Sequence, residues 1–408
     1  MADVRPFPAL AYDEGQAGPL ATLVSPPYDV ISPEQRAGYL AASPHNAVHL
    51  ILPELPYDEV AGLLAGWREA GVVRRADAPE ITAWTQTFTL ADGIERERRT
   101  LLAAVGLEPY EARVVRPHER THAGPKEDRL RLTRAVRTNL SPVFGLYPDP
   151  EGAAWAAVAG AVARPPDAEV TDDEGTVHRF WRIADPDALA GVTAAMADRW
   201  ILIADGHHRY ETALAYREER REAGAGDGPH DRVMMGLTAL DDPGLVVLPT
   251  HRVLGRWPDD AADAFERRPV EDLDALLAAL AAAPPDRPAV GLVLPDGAAL
   301  LIGPEHAADA TPAERLDVAV IENRILLPGL GADQAALAHE GVLTYVKDPA
   351  EAWRLVRDGA AAASLVLRPI AKADIAAVAE AAEVMPQKST YFFPKLLTGV
   401  AFHALGDG

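Results

Sequence analysis

The stretch W-I-L-I-A-D-G-H-H-R-Y-E-T-A, residues 200–213, decides how this chain is read. Trp200 to Ala204 is an apolar run of strand length, and Asp205-Gly206-His207-His208-Arg209 breaks it. From near Tyr210 the apolar residues Ala213, Leu214 and Tyr216 follow helical spacing, which predicts a helix to about Glu222. A strand, a glycine turn and an immediate helix bring backbone N–H groups to a helix N-terminus, where a phosphate or carboxylate is favoured. Arg209 is able to fork onto phosphate oxygens, and the two histidines to donate hydrogen bonds or exchange protons. Asp205, at the end of the strand, suits Mg²⁺ or a substrate hydroxyl proton. The plainer alternative is that Asp205 caps the helix and the histidines are solvated.

Outward from this junction the chain alternates helix and strand. Upstream, Ile81–Leu90 and Arg98–Leu107 flank Ala91-Asp92-Gly93 as a hairpin, and the alternation from Ile81 predicts a half-buried strand. Asp58–Val73, Gly124–Thr138 and Ala153–Val162 read as helices, while Val143–Tyr147, Val177–Ile183 and Val233–Leu240 read as strands. Downstream come helices over Glu271–Ala283, Asp317–Leu327 and Pro349–Arg357. The strands there are Ala289–Leu294, Ala298–Ile302, Val342–Val346 and Ala363–Leu367. The fold class expected is mixed α/β, with a core over residues 1–240 and a C-terminal α/β region over 241–408.

Three further clusters carry chemistry. H-E-R-T-H (118–122) precedes G-P-K-E-D-R-L (124–130). His118 and His122 stand four apart, as metal-binding pairs on helices do, but Gly124-Pro125 argues for a loop and no H-E-x-x-H pattern is present. A loop bearing His118, Glu119 and Arg120, then a helix bearing Lys126 and Arg129, suits a carboxylate base beside phosphate-binding cations. A solvated, salt-bridged helix face explains Arg131, Arg134 and Arg137. M-P-Q-K-S-T-Y-F-F-P-K-L (385–396) sets Lys388, Ser389 and Thr390 directly before three aromatics. Those three residues are able to bind phosphate, yet the glycines of a Walker A loop are missing. S-P-P-Y-D-V (25–30) reads as a rigid loop fixed by two prolines, which either shapes a pocket wall or serves structural rigidity alone.

Composition narrows the function classes. The chain has 408 residues with 39 Lys+Arg against 61 Asp+Glu, a formal charge of −22. That balance argues against gripping nucleic acid by bulk charge but leaves room for a local basic pocket. With 48 % hydrophobic and 25 % charged residues, the chain reads as an ordinary globular protein. No cysteine is present, which excludes disulfides, cysteine-ligated zinc, iron–sulfur clusters and thiol catalysis. The opening residues lack a basic segment leading into an apolar one, so a cytoplasmic location is expected.

Together the four clusters resemble a family known as domain of unknown function 1015. The matching pieces are S-P-P-Y-D-V, H-E-R-T with G-P-K-E-D-R-L, A-D-G-H-H-R-Y-E-T-A and M-P-Q-K-S-T-Y-F-F-P-K-L, which run from near one end to the other. D-G-H-H-R after a strand is also similar to the phosphate-binding box of the ParB/sulfiredoxin superfamily, which includes ParB-like free serine kinases. That resemblance implies a ParB/sulfiredoxin-like nucleotide-binding core with additional α/β elements. It also implies that Gly206, His207, His208 and Arg209 hold nucleotide phosphates, that Asp205 assists catalysis, and that an upstream glutamate, for which Glu119 is the candidate, serves as base.

The expectation is therefore a small-molecule phosphotransferase, a nucleotide-dependent kinase of a hydroxyl compound such as free serine. ATP or ADP would be the phosphate donor, with Mg²⁺ at Asp205 as cofactor. Arg209, Lys126 and Lys388 offer charge for the transferring group, with Asp205 and His207 close to the chemistry. The alternatives are a phosphatase using the same cradle, or a nucleotide-binding regulatory protein that transfers nothing. Neither nucleic acid nor membrane is an expected partner.

Overall fold

The computed structural model describes residues 1–119, 124–258 and 260–406, with the side chains of 124–126 outside that description. The chain divides into two compact units. The first comprises Met1–Pro117, Thr121–Leu245 and Pro394–Gly408; the second comprises His118–Arg120 and Val246–Phe393. Mixed α/β architecture holds in both.

A mixed sheet, nine-stranded among the described residues, forms the first unit. Its strands in chain order are β1 (Val4–Arg5), β2 (Ile81–Thr89), β3 (Glu95–Gly106), β4 (Val115–Arg116), β5 (Val143–Tyr147), β6 (Ala168–Thr171), β7 (Val177–Ile183), β8 (Ile201–Asp205) and β9 (Arg232–Ala239). Across the sheet the order is β4-β8-β5-β9-β3-β2-β7-β6, with β1 alongside β3. Strand β8 runs parallel to β4 and antiparallel to β5. The helices that matter here are α1 (Tyr57–Glu69), α2 (Gly124–Val136), α3 (Pro186–Met196) and α4 (His207–Glu222). Ile81, Leu101, Val105, Ile203 and Met235 form one apolar face of the sheet, covered by Val192 and Met196 of α3 and by Tyr210 and Ala213 of α4.

Two expectations change in this unit. The stretch Ala153–Val162 forms two short helices, Ala153–Ala156 and Ala159–Val162. Strand β2 is not half-buried: Thr82, Trp84 and Gln86, which occupy the face opposite Ile81, are buried as well. The terminal segment covers them. Gln86 donates to the Lys395 carbonyl at 3.0 Å, and Arg98 of β3 donates to the Pro394 carbonyl at 2.6 Å. Gly236 of β9 admits this cover, because a Cβ there would stand 2.4 Å from Leu396 Cδ1. Polar residues at alternate positions thus mark a second buried interface that happens to be hydrogen-bonded.

The second unit is a six-stranded sheet of β10 (His251–Leu254), β11 (Glu266–Val270), β12 (Ala289–Leu294), β13 (Gly297–Ile302), β14 (Leu343–Val346) and β15 (Ala363–Leu367). The order is β11-β13-β12-β15-β10-β14. Helices α5 (Leu273–Ala281), α6 (Pro349–Arg357) and α7 (Lys372–Glu380) accompany it. Strands β14 and β15 each pair antiparallel with β10, so they run parallel to one another with α6 as their connection. Leu276 and Leu280 of α5 and Val356 of α6 pack on Val293, Leu300 and Val366. The opposite face packs Leu292, Leu301 and Leu365 against Val320, Ile321 and Ile325. The helix expected over Asp317–Leu327 is α-helical over Asp317–Ile321 and then π-helical over Glu322–Leu326. Among the described residues no helix is long and apolar enough to cross a membrane.

Candidate functional site

In the first unit, β8 ends at Asp205 and α4 begins at His207, three residues earlier than the periodicity from Tyr210 predicts. Gly206 is the N-cap, in the left-handed region at φ 89°, and no side chain caps the helix. His207 and His208 therefore stand in the first helical turn, His207 buried and His208 half-buried. Tyr210 locks the turn from below by donating to the Glu108 carbonyl at 2.8 Å and accepting from the Glu108 N–H at 2.9 Å.

Asp205 does not cap α4. Its carboxylate lies between two cations: Oδ1 accepts from Lys395 Nζ at 2.8 Å, and Oδ2 accepts from Arg209 at 2.5 Å. The side chains of Asp205, Arg209 and Lys395 are only 17 %, 10 % and 13 % exposed, so solvent screens them little. Burial alone would raise the Asp205 pKa, but Lys395 and Arg209 outweigh it and hold the carboxylate well below its usual range. Burial likewise lowers the Arg209 pKa, and Asp205, Asp29 and Tyr28 more than reverse this. The triad carries a net charge of +1 at the uncapped end of a 16-residue helix.

The S-P-P-Y-D loop belongs to the same place. Ser25 pairs with Thr398 through 3.1 and 2.8 Å backbone bonds, and Arg129 stacks 4.7 Å above the Tyr28 ring. Arg209 also donates to the Pro142 carbonyl. A cavity of about 60 Å³ lies among Tyr28, Arg129, Ser141, Arg209 and Thr212. Two buried polar atoms there, Arg209 Nε and Thr212 Oγ1, have no hydrogen-bond partner among the described residues. Such a space holds a few waters or a phosphoryl group, and no nucleoside. A Cβ on Gly206 would stand 2.8 Å from Arg209 Cζ and Nε, so glycine both permits the turn and lets the guanidinium fold over it.

The second unit gathers the other expected residues. His118 and Glu119 dock on the C-terminal motif: the Met385 N–H donates to the His118 carbonyl at 2.7 Å, and the Lys388 N–H donates to Glu119 Oε2 at 3.1 Å. His118, buried at the edge of the Phe392 ring, pairs through Nε2 with Thr390 Oγ1 at 3.1 Å. Ser389 donates to the Pro386 carbonyl. Lys388 is exposed and adopts φ 56°, an uncommon conformation for a non-glycine residue. Its carbonyl accepts from buried Arg252 at 3.2 Å, so both faces of its peptide environment are held. Arg120 and His122 lie outside the described residues, as does the side chain of Lys126.

The donor set does not make a protein-built Mg²⁺ site. Each Asp205 oxygen carries a cationic side chain, and a metal ion there would have to displace one of them. Among the described residues no group of three or more His, Asp or Glu stands ready to hold a metal.

Lys395 and the clamp of Gln86 and Arg98 were not singled out from sequence, whereas Tyr28 lies in the S-P-P-Y-D stretch that was. Lys395 closes the P-K-L end of the C-terminal motif, and a lysine following a buried aromatic run was the available signal.

A family model described as a protein of unknown function, DUF1015, matches residues 4–319. No curated protein matches the chain. Among solved structures, a free serine kinase in complex with AMP is similar at a TM-score of 0.37 and 12 % identity, covering 72 % of this chain and 86 % of that one. A conserved hypothetical protein from Pyrococcus furiosus is similar at a TM-score of 0.35 and 13 % identity, covering 72 % of this chain and 90 % of that one. Likeness this distant assigns neither ligand nor activity.

Proposed function

Because this chain belongs to the DUF1015 family, whose description carries no activity, we propose its function from its own residues: a small-molecule phosphotransferase, a nucleotide-dependent kinase of a hydroxyl compound such as free serine. The observation that carries the reading is the buried Asp205–Arg209–Lys395 triad at the uncapped N-terminus of α4. Phosphoryl transfer is mostly positioning and charge neutralisation, and this junction supplies both. Arg209 still has a buried Nε–H to direct at a phosphate oxygen, and the helix N-terminus reinforces it. His208 and Lys395 add cationic or neutral donors around the same turn.

In the proposed step the acceptor oxygen forms a bond to the terminal phosphorus of the donor nucleotide. The bond from that phosphorus to the bridging oxygen breaks, and the shortened nucleotide leaves with the electron pair. The hydroxyl proton passes to a carboxylate. That carboxylate is not Asp205, because two cations stabilise its ionised form and make it a poor base. Asp205 is instead a positioning residue that orients Arg209 and Lys395.

Phosphorus NMR on the full chain with ATP or ADP and a pool of hydroxyl-bearing amino acids and hydroxy acids tests the proposal. A new phosphomonoester signal that requires both donor and acceptor is the expected result. Orthophosphate without an ester identifies hydrolysis instead, and nucleotide binding with an unchanged spectrum identifies a regulatory protein; either overturns the kinase reading.

A further inference from the structure

In the first unit a cavity of about 360 Å³ lies where the last turns of α1, α2 and α4 converge on the segment Ala404–Gly406. That volume is at the lower end of the range for small-molecule sites. Its floor is apolar, built from Leu64, Val136, Tyr216 and Leu405, all of them buried. Arg68, Arg137 and Arg220 stand around this floor, and no carboxylate lines the cavity among the described residues. None of the three guanidinium groups has an ion-pair or hydrogen-bond partner among the described residues, although the chain holds 61 Asp+Glu against 39 Lys+Arg. The nearby carboxylates are taken by arginines outside the cavity: Arg134 pairs with Glu127 and Glu219, Arg217 with Glu218, and Arg221 with Glu218 and Asp231. The salt-bridged face expected from sequence thus includes Arg134 but not Arg137. Tyr216, only 4 % exposed, likewise has no hydrogen-bond partner for its hydroxyl among the described residues.

Helix ends account for only part of this charge. Arg68 and Arg220 stand in the last turns of α1 and α4, and Arg137 directly follows α2. Each helix C-terminus carries about −0.5 of a charge, so three of them offset about half of the three cations. The conformation of Arg137 is a second, independent sign. It adopts φ 47°, after a helix end where glycine is the usual residue. Its N–H donates to the Thr133 carbonyl at 2.8 Å, and its carbonyl accepts from the Leu405 N–H at 2.8 Å, so the backbone is fixed on both sides. A cation therefore stands where the backbone favours a residue with no side chain. A phosphate matches the charge that remains, since guanidinium forks fit its oxygens and the Tyr216 hydroxyl adds a donor. The apolar floor beneath calls for hydrocarbon on the same molecule.

We propose that this cavity binds a small soluble phosphomonoester, its phosphate among Arg68, Arg137 and Arg220 and its hydrocarbon body on Leu64, Val136, Tyr216 and Leu405. The inference is independent of the phosphotransferase reading: Arg220 shares α4 with His207 but lies about 20 Å along it, at about 1.5 Å per residue. Isothermal titration calorimetry on the full chain tests it with hexyl phosphate, inorganic phosphate and hexanol as probes. Hexyl phosphate should bind, and Arg220→Gln and Arg137→Gly should each weaken it about tenfold, the scale of one lost charged hydrogen bond. Arg137→Gly should not lower the thermal midpoint, because glycine is at ease at that φ, so its loss of binding is not a loss of fold. The binding that these variants remove should be at least about tenfold weaker for inorganic phosphate, a factor that burial of about two methylene groups supplies, and absent for hexanol. Arg209→Ala should leave hexyl phosphate affinity unchanged, which separates the cavity from the triad, and Asp407→Asn should leave it unchanged as well. Sedimentation with phosphatidic acid vesicles distinguishes a lipid headgroup, and none is expected. Absence of hexyl phosphate binding, equal binding of hexanol, full binding to both Arg220→Gln and Arg137→Gly, or binding lost in a folded Arg209→Ala would each overturn the proposal. So would vesicle sedimentation that Arg137→Gly abolishes, or an affinity gain of about tenfold in Asp407→Asn, which would make the chain's own carboxylate the occupant.

Discussion

Replacing Lys395 by methionine tests the triad most directly, because it removes one of the two cations on Asp205 while keeping a long side chain in place. The wild-type group of Asp205, Arg209 and Lys395 carries +1, and the variant carries zero. A phosphate then loses one charged hydrogen bond, worth about 1.5–3 kcal/mol. That corresponds to about 10- to 150-fold in nucleotide affinity. Stability changes with a definite sign. The folded-state pKa of Asp205 is depressed, so its contribution is fully present above the unfolded value of about 3.9 and is lost as pH falls through the lower folded value. In Lys395→Met burial is opposed by Arg209 alone, the folded value rises, and acid unfolding begins at a higher pH. Calorimetric nucleotide titration and acid unfolding followed by circular dichroism read both effects. Unchanged nucleotide affinity together with an unchanged acid limb would refute the reasoning.

Gly206→Ala should lower stability by about 1–3 kcal/mol, the scale of left-handed strain in a non-glycine residue, and should displace Arg209, since the added Cβ falls 2.8 Å from its guanidinium. Thermal unfolding shows the first effect and loss of nucleotide affinity the second. Glu119→Gln keeps an amide oxygen for the Lys388 N–H, so the protein should unfold in urea within about 1 kcal/mol of wild type, while Glu119→Leu, which removes the acceptor, should cost about 1–3 kcal/mol. Arg98→Lys should cost more than about 1.5 kcal/mol in urea unfolding, because an ammonium cannot reach Gln86 and the Pro394 carbonyl together.

How much of this is legible in the sequence depends on whether the information is local. Strands β5, β7, β12 and β15 and helix α6 match the periodicity to the residue, because each is an apolar or amphipathic run, and β5, β12 and α6 are bounded on both sides by Pro or Asp. The start of α4 was displaced to Tyr210 because His207, His208 and Arg209 carry no apolar signal, although Gly206 fixes the boundary through its backbone conformation. The ion pairs of Asp205 were not legible at all. Arg209 lies four residues away on the same turn, but Lys395 is 190 positions distant and its approach depends on tertiary structure. The two buried faces of β2 were missed for the same reason: Thr82 and Gln86 alternate as solvent-facing residues do, and only the returning C-terminal segment makes them interior.

That segment also explains why each unit buries an arginine against backbone carbonyls. Arg98, in the first unit, holds the Pro394 carbonyl, and Arg252, in the second, holds the Lys388 carbonyl. Burial depresses their pKa values to about 9 and about 10, a measure of how unfavourable the charge is where it sits. The C-terminal motif contains Pro386 and Pro394 and a left-handed Lys388, so its backbone is irregular and its carbonyls lack a continuous ladder of N–H partners. A guanidinium resolves this because its planar fork donates in several directions at once, to a backbone carbonyl on one side and to Gln86 or Gln334 on the other. Fixing Pro394 fixes the next residue, Lys395, and so the cation that meets Asp205. The buried arginine on β3 therefore acts on the candidate site through one peptide unit, and the cost of its burial is tied to the position of a charge at the end of β8.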